Sequence, residues 1–143
     1  MEDLLCKAED GNAEAAYLVG TLHAEGHHLP LDLERAERFL VVAADAGHLK
    51  AQHKLGLVLL WNGERGEGEV DRALFWLSSA AAAGHAMSAV VLGKLHEDGL
   101  YDVRRDLCLA KIWYAKGADL GLAPPVGHLE RLTERAGPRS NCD

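Results

Sequence analysis

The fold of this chain is decided by residues 47–63, whose sequence is GHLKAQHKLGLVLLWNG. Apolar residues recur there at three- and four-residue intervals, which is the spacing of one face of an α-helix. A glycine stands at each end, where it can adopt the left-handed conformation that ends a helix. We therefore predict a helix between Gly47 and Gly63, and related stretches lie before and after it.

The glycines of this stretch belong to a repeat of 36 or 37 residues. One register is Gly11, Gly47, Gly84 and Gly121. Four further registers keep the same step: Gly20, Gly56, Gly93; Gly26, Gly63, Gly99; Ala36, Ala73, Ala110; and Phe39, Trp76, Trp113. Five registers that agree within one residue indicate a tandem array of one structural unit.

Each repeat is predicted to contain two helices. The second helix opens at an acidic residue, Asp32 or Asp106, whose carboxylate can accept hydrogen bonds from backbone N–H groups of the first turn. Repeat two has a weaker cap, Glu69, and the glycine-rich segment Gly63–Gly68 before it is expected to be mobile.

Small residues occupy the positions where the paired helices should cross. Gly20, Gly56 and Gly93 lie inside predicted helices, where glycine costs about 1 kcal/mol relative to alanine. Close contact with the second helix of the pair explains this cost, and the alanine register is expected to supply the facing surface.

Composition favours an all-α fold built from these repeats. Alanine and leucine supply 46 of the 143 residues, against nine valines, two threonines and one isoleucine. We predict a single array over residues 1–137, with repeats at about 11–46, 47–83 and 84–120. Residues 3–10 are expected to form a preceding half-repeat, residues 121–137 a capping helix, and residues 138–143 a flexible tail.

The charge balance argues against two classes of ligand. The chain has 15 Lys and Arg against 22 Asp and Glu, a net charge of −7, whereas nucleic acid or an anionic membrane requires a dense basic face. No apolar run approaches the roughly 18–20 residues of a membrane-spanning helix.

The N-terminal sequence and the cysteines suggest a reducing compartment. No secretory signal is visible in the first residues. Cys6, Cys108 and Cys142 form no paired framework, and we expect buried thiols at the first two. A cytoplasmic location follows, or a periplasmic one if a signal peptide has been removed.

Residues at fixed positions of the three repeats match one known motif. Repeat one carries Val19-Gly20, Gly26, Asp32, Arg35-Ala36, Phe39, Ala43-Ala44 and Gly47; repeat two carries Leu55-Gly56, Gly63, Arg72-Ala73, Trp76, Ala80-Ala81 and Gly84; repeat three carries Leu92-Gly93, Gly99, Val103, Asp106, Ala110, Trp113, Lys116, Ala118 and Gly121. Over about residues 11–121 this pattern resembles the Sel-one-like repeats, a subclass of the tetratricopeptide-like helical repeats. The departures are His23 and His96 in place of a packing aromatic residue, Gly117 in place of alanine, and one extra residue before Gly63.

The resemblance implies a right-handed α/α superhelix, a solenoid of about three helix pairs, whose first helices line a concave groove. It also implies protein–protein interaction, because family members act as adaptors, regulators and, in some bacteria, immunity proteins paired with secreted toxins. We therefore predict a bacterial, non-enzymatic adaptor that needs no cofactor and binds a protein partner in that groove. An immunity protein that occludes a toxin is the alternative. β-Lactam-type binding or hydrolysis is the weakest reading, since the paired cysteines of such members are absent.

Transfer of the groove positions of the first helices selects the candidate partner-binding residues. They are Tyr17, Thr21 and Glu25 in repeat one; His53, Leu57, Leu60 and Trp61 in repeat two; and Met87, Val90, Lys94, Glu97 and Asp98 in repeat three. An apolar, aromatic centre with a polar rim is how protein interfaces concentrate binding energy. A second interpretation stays open, in which the extra residue of repeat two turns Leu60 and Trp61 into the seam between helices.

Eight histidines raise the question of a metal site. Three of them follow glycines at predicted helix starts: His48, His85 and His128. His23 and His96 are expected to pack between helices, and His27-His28 lies beyond Gly26 with no carboxylate or cysteine placed to complete a tetrahedral site. No serine or cysteine stands in a nucleophile motif. We therefore predict neither metal ligands nor catalytic residues.

Overall fold

Helices supply all the regular secondary structure of the described residues. The computed structural model describes residues 2–61 and 68–122, together with Arg131 and Glu134. In these residues the α-helices are α1 Glu2–Glu9, α2 Ala13–Glu25, α3 Leu33–Asp45, α4 Leu49–Trp61, α5 Glu69–Ala82, α6 Ala86–Asp98 and α7 Leu107–Asp119, with a 3₁₀ turn at Leu100–Asp102. The all-α class predicted from the sequence is confirmed.

The chain forms two compact units, whose boundary falls within α5. The N-terminal unit is Met1–Trp76 and the C-terminal unit is Leu77–Asp143. In the N-terminal unit α2 packs against α1 and α3, and α3 also packs against α4. In the C-terminal unit α6 packs against α7. The first helices α2, α4 and α6 begin 36 and 37 residues apart, which is the step of the glycine registers.

The second helices α3 and α7 begin at the predicted carboxylate caps. Asp32 Oδ1 accepts a hydrogen bond from Arg35 N at 3.1 Å, and Asp106 Oδ1 accepts one from Leu109 N at 3.0 Å. Both caps are confirmed, and each satisfies a backbone donor that the helix itself leaves unpaired. The third predicted cap is wrong, because α5 begins at Glu69 and places this residue inside the helix.

The first helices begin at side-chain caps that the sequence did not disclose. Asn12 Oδ1, His48 Nδ1 and His85 Nδ1 accept hydrogen bonds from the backbone N–H three residues further on, at 2.9, 3.1 and 3.3 Å. At the other end, α2 and α6 stop at Gly26 and Gly99, whose φ values of 71° and 66° lie in the left-handed region that glycine tolerates.

The helix crossings of both units leave little room for a side chain at the glycine. A Cβ at Gly20 would lie 2.7 Å from Leu40 Cγ and 3.2 Å from Ala36 O, both in α3. A Cβ at Gly93 would lie 3.0 Å from the ring of Tyr114 in α7. The predicted close approach is confirmed at these two glycines, although the side chain nearest to Gly93 is the tyrosine and not the alanine register.

Three predicted segments lie outside the described residues. They are the glycine-rich segment except Gly68, the capping helix at 121–137 except residues 121–122, Arg131 and Glu134, and the tail at 138–143. Arg131 and Glu134 are helical and exposed.

Candidate partner-binding surface

The candidate residues of the N-terminal unit lie on the first helices α2 and α4. Tyr17, Thr21 and Glu25 follow one another at four-residue steps on α2, so they share one side of that helix. On α4 the candidates are His53, Leu57, Leu60 and Trp61. Glu25 and Trp61 are exposed, Leu60 is buried, and the other four are half-buried.

Leu60 and Trp61, at the end of α4, point in different directions. Leu60 is 2% exposed and belongs to the core, so its side chain cannot reach a partner. Trp61 is 45% exposed, because successive helical residues point about 100° apart around the axis. Leu60 therefore packs between helices, and its prediction as a partner-binding residue is wrong. The Trp61 indole lies at the surface.

Trp61 is held by a cation that is itself held by a neighbouring helix. Lys54 Nζ lies 6.0 Å from the centroid of the Trp61 ring, and 3.0 Å from Glu25 Oε1 on α2. A cation over an indole contributes about 0.5–1 kcal/mol at an exposed site. The ion pair limits the positions of the ammonium group, so this contact favours one orientation of the exposed indole.

A second aromatic side chain, that of Tyr17 on α2, packs against His48 at the start of α4. His48 Nδ1 accepts the hydrogen bond of Ala51 N, so its proton lies on Nε2, which donates to Glu14 Oε2 at 2.7 Å. The ring of Tyr17 stacks on this imidazole, with centroids 4.6 Å apart and planes inclined by 26°. His48 thus caps α4, pairs with α2 and orients Tyr17.

These contacts define one surface, which we call the α2–α4 face. It is formed by Tyr17, Glu25, Lys54, Leu57 and Trp61. Thr21 adds no polar group to it, because Thr21 Oγ1 is buried with no hydrogen-bond partner among the described residues. His53, the residue before Lys54, is half-buried and is not counted in this face. The face therefore has an aromatic and apolar centre with one ion pair.

The candidates of the C-terminal unit lie on α6 and are treated separately. Met87 is exposed, whereas Val90 is half-buried against the core cluster of Ala110 and Tyr114. Lys94 Nζ and Asp98 Oδ2 form an ion pair at 2.8 Å one helical turn apart. An exposed pair of this kind contributes little stability.

Glu97 does not belong to a surface, so its prediction as a partner-binding residue needs correction. Its side chain is buried, and Glu97 Oε2 accepts a hydrogen bond from Tyr114 Oη at 2.8 Å. Burial and this bond to the carboxylate raise the pKa of the Tyr114 hydroxyl. The pair ties α6 to α7 and has a structural role.

The sequence profile of the Sel1 repeat matches residues 13–48, 49–85 and 86–122, which is more than half of the chain. This chain belongs to the Sel1 repeat family. Each matched Sel1 repeat begins at the first residue of a first helix, α2, α4 or α6. Sel1 repeats generally serve as scaffolds for protein–protein interaction and are typically not catalytic.

Two solved structures resemble this Sel1 repeat chain. The first is c5321, a protective antigen present in uropathogenic Escherichia coli strains that displays an SLR fold; it is 30% identical with a TM-score of 0.70 over 84% of this chain and 25% of its own. The second is a Sel1 repeat protein from Oxalobacter formigenes, 28% identical with a TM-score of 0.63 over 78% of this chain and 45% of its own. This chain therefore spans less than half the length of either. The predicted solenoid of helix pairs is confirmed as the fold class.

The described part of this Sel1 repeat chain contains no cluster of three or more His, Cys, Asp or Glu that could hold a metal ion. Nor is any described helix both long and apolar enough to cross a bilayer. The expectation of buried thiols was wrong, because Cys6 is exposed and Cys108 is half-buried in a disulfide.

Sequence reasoning missed Lys54, which has a recognisable signal. It precedes Trp61 by seven residues, which is two helical turns and places both side chains on one face of α4. Its pairing with Glu25, 29 residues earlier, depends on how α2 and α4 pack and has no local signal.

Proposed function

We propose that this Sel1 repeat chain is a non-enzymatic adaptor that binds a protein partner through the α2–α4 face, with Trp61 as the anchor. The observation that carries the proposal is an exposed indole in contact with the cation of Lys54, which is itself paired with Glu25. Binding energy at protein interfaces concentrates in a few such aromatic residues, which are enriched in tryptophan.

The repeat itself gives no reason for a tryptophan at this position. Counted five residues beyond Gly20, Gly56 and Gly93, the side chains are those of Glu25, Trp61 and Asp98. Two of the three repeats therefore fold with an acidic residue where repeat two has an indole. An exposed apolar group that folding does not need supports a role in binding.

Co-purification from the native cell, quantified for two aspartate variants, tests this proposal. Trp61→Asp should abolish capture of the partner and leave the helical circular dichroism signal unchanged. Phe75→Asp is the matched control, because Phe75 is 61% exposed on α5, a second helix, and its replacement should leave capture intact. Loss of capture in both variants, or in neither, would contradict the assignment. Hydrolysis of nitrocefin by the purified chain would contradict the non-enzymatic part.

An immunity role is the second candidate, and the net charge of −7 favours it. An acidic protein associates quickly with the basic cleft of an enzyme that acts on nucleic acid, because complementary charge steers the encounter. The test is inhibition of a toxin encoded beside this gene by the purified chain. Inhibition that is lost at high salt and in Trp61→Asp supports this role, and unchanged toxin activity removes it.

The disulfide at Cys108 bears on the compartment in which the chain works. Disulfides persist in oxidising compartments and are rare in the cytosol. We therefore propose the periplasm rather than the cytoplasm for the adaptor, whereas an immunity role against an enzyme that acts on nucleic acid would place the chain in the cytoplasm. The chain is isolated from its native cell, alkylated without reduction and analysed by mass spectrometry. Cys108 should carry no alkyl group, because a disulfide protects it from the reagent. A freely alkylated Cys108 thiol would favour the cytoplasm.

A further inference from the structure

A groove between α1 and α3, with α2 beneath it, lies apart from the α2–α4 face. A first cavity of about 220 Å³ is lined by Leu5, Glu9, His23, Arg35, Arg38 and Phe39. A second, of about 240 Å³, shares Glu9, Arg38 and Phe39 with the first and continues to Ala8 and Val42. We call the two together the α1–α3 groove. Each cavity is smaller than the roughly 300–1,000 Å³ of sites for drug-sized ligands, so only a small molecule would fit either of them.

His23 offers a hydrogen-bond acceptor at the bottom of this groove. The residue is 3% exposed, yet it lines the first cavity. Its Nδ1 lies 3.1 Å from Pro30 O. A carbonyl oxygen can only accept, so Nδ1 carries the proton and Nε2 of the neutral ring presents a lone pair. Nε2 has no hydrogen-bond partner among the described residues, and it is not one of the fully buried side-chain atoms that lack a partner, so it remains accessible.

The groove also carries opposite charges that do not neutralise each other. Arg38 and Glu9 line both cavities, yet neither forms an ion pair with any described residue. Arg35 Nε forms an exposed ion pair with Asp32 Oδ2 at 3.7 Å, and no described residue accepts a hydrogen bond from its guanidinium group. The first cavity thus offers two guanidinium groups for a carboxylate, and a carboxylate and an imidazole nitrogen for a donor of hydrogen bonds.

Arg38 is not required by the repeat, whereas Arg35 belongs to the repeat motif, because Arg72 stands at the equivalent position of repeat two. The residues equivalent to Arg38 are Phe75, 37 residues further along, and Ile112, 74 residues further along, and both are exposed apolar side chains. The other repeats therefore fold without a cation at this position. This difference supports a role of the Arg38 charge in binding.

We propose that the α1–α3 groove binds a small apolar α-amino acid as its zwitterion. The carboxylate lies against Arg35 and Arg38, and guanidinium–carboxylate contacts are among the strong hydrogen bonds. The ammonium group donates to Glu9 and to His23 Nε2. The apolar side chain lies along Phe39 toward Val42, where the second cavity removes it from water.

Calorimetric titration of the full chain with L-leucine tests the proposal. Saturable binding is expected. N-Acetyl-L-leucine lacks the ammonium group, and L-leucinamide lacks the carboxylate; each should bind at least about tenfold more weakly, because one set of charged hydrogen bonds is lost. N-Acetyl-L-leucine also mimics the C-terminal residue of a peptide, because it has an amide bond on its nitrogen and a free carboxylate. If it binds as tightly as L-leucine, the groove recognises a chain terminus and the zwitterion assignment is overturned.

Charge-removing variants assign the binding to this groove. Arg38→Gln and Glu9→Gln should each weaken L-leucine binding by about tenfold or more. Arg104→Gln and Asp119→Asn are matched controls, because both residues are exposed in the C-terminal unit. They should bind L-leucine as the natural chain does.

Two further results would overturn the proposal. One is the absence of any heat change with L-leucine up to about 10 mM, a concentration that detects even very weak complexes. The other is equal binding by the groove variants and the controls, with unchanged circular dichroism spectra, which would place the ligand elsewhere. These outcomes are independent of Trp61 and of the proposed protein partner.

Discussion

The α2–α3 pair and the α6–α7 pair each have a seam, the interface between the first and the second helix. Equivalent positions of the two seams carry side chains of different polarity. Leu40 closes the seam in the N-terminal unit, and Tyr114 closes it in the C-terminal unit, 74 residues later. The residues that accompany them, 73 apart on the first helices, are Ala24 and Glu97, both buried. Burying a hydroxyl or a carboxylate alone is costly. The fold therefore fixes the size and position of a seam residue, while its polarity can change when donor and acceptor arrive together.

The apolar version of the seam should show the largest single effect. Leu40 is fully buried, so Leu40→Ala removes its packing and leaves a cavity; we expect the free energy of unfolding to fall by about 2–5 kcal/mol. Urea denaturation followed by circular dichroism measures it. Leu31→Ala, at an exposed leucine of the same unit, is the control and should change stability by less than about 0.5 kcal/mol. A loss below about 1 kcal/mol at Leu40 would show that this seam is loosely packed.

The polar version should depend on one hydroxyl group. Tyr114→Phe removes the donor of the 2.8 Å bond to Glu97 Oε2, and we expect it to destabilise the chain by about 1–3 kcal/mol, because a buried carboxylate loses a hydrogen bond. Tyr17→Phe is the matched control, since the described residues give that hydroxyl no hydrogen-bond partner and its stacking on His48 is retained. The double change Tyr114→Leu with Glu97→Ala installs the pair of the other unit and should cost less than the sum of the single changes. Equal effects of Tyr114→Phe and Tyr17→Phe would contradict this reasoning.

The same hydroxyl makes stability fall in alkali. Burial and the bond to Glu97 raise the pKa of Tyr114 above the value near 10 that it has in the unfolded chain. Above that pH the unfolded chain releases the proton while the folded one keeps it, so the free energy of unfolding decreases by up to about 1.4 kcal/mol per pH unit. This contribution is fully present below pH 10. Denaturation series at increasing alkaline pH should show a shallower decline in Tyr114→Phe than in the natural chain, and identical slopes would exclude the effect.

The sequence predicts the features that recur and misses those that occur once. The glycine spacing and the carboxylate caps at Asp32 and Asp106 repeat along the chain, so their structural roles could be read from their period. Leu60 and Glu97 were assigned to a surface by that same period, and both are buried. Both residues stand four positions after the helix glycine, and Ala24 is buried at the same position of repeat one, so this position belongs to the core in every repeat. The partner that makes a buried carboxylate tolerable at Glu97, Tyr114, lies 17 residues away on another helix.

The α1–α3 groove could not be predicted for a related reason. Its charged side chains come from α1 and α3 and its imidazole from α2, so no segment of sequence contains the site. Two of its members, Arg35 and Arg38, read as ordinary solvated charges on an amphipathic helix. Only the packing of three helices brings them into one cavity.

The smallest expected effect concerns the caps, which differ only in an exposed ion pair between Asp32 and Arg35. Asp32 and Asp106 have nearly the same geometry, with φ of −149° at both and accepted bonds of 3.1 and 3.0 Å. Asp→Ala at either position should therefore lower the free energy of unfolding by about 1 kcal/mol, since one backbone N–H of the helix loses its acceptor. Asp→Asn keeps an acceptor oxygen and is the matched control, with an expected change of a few tenths of a kcal/mol. Urea denaturation of the four variants decides the matter. Equal losses at the two caps would place the difference between the units in the seam alone, whereas a loss at one cap that exceeds the other by more than about 1 kcal/mol would show that the surroundings of α3 and α7 differ at their ends as well.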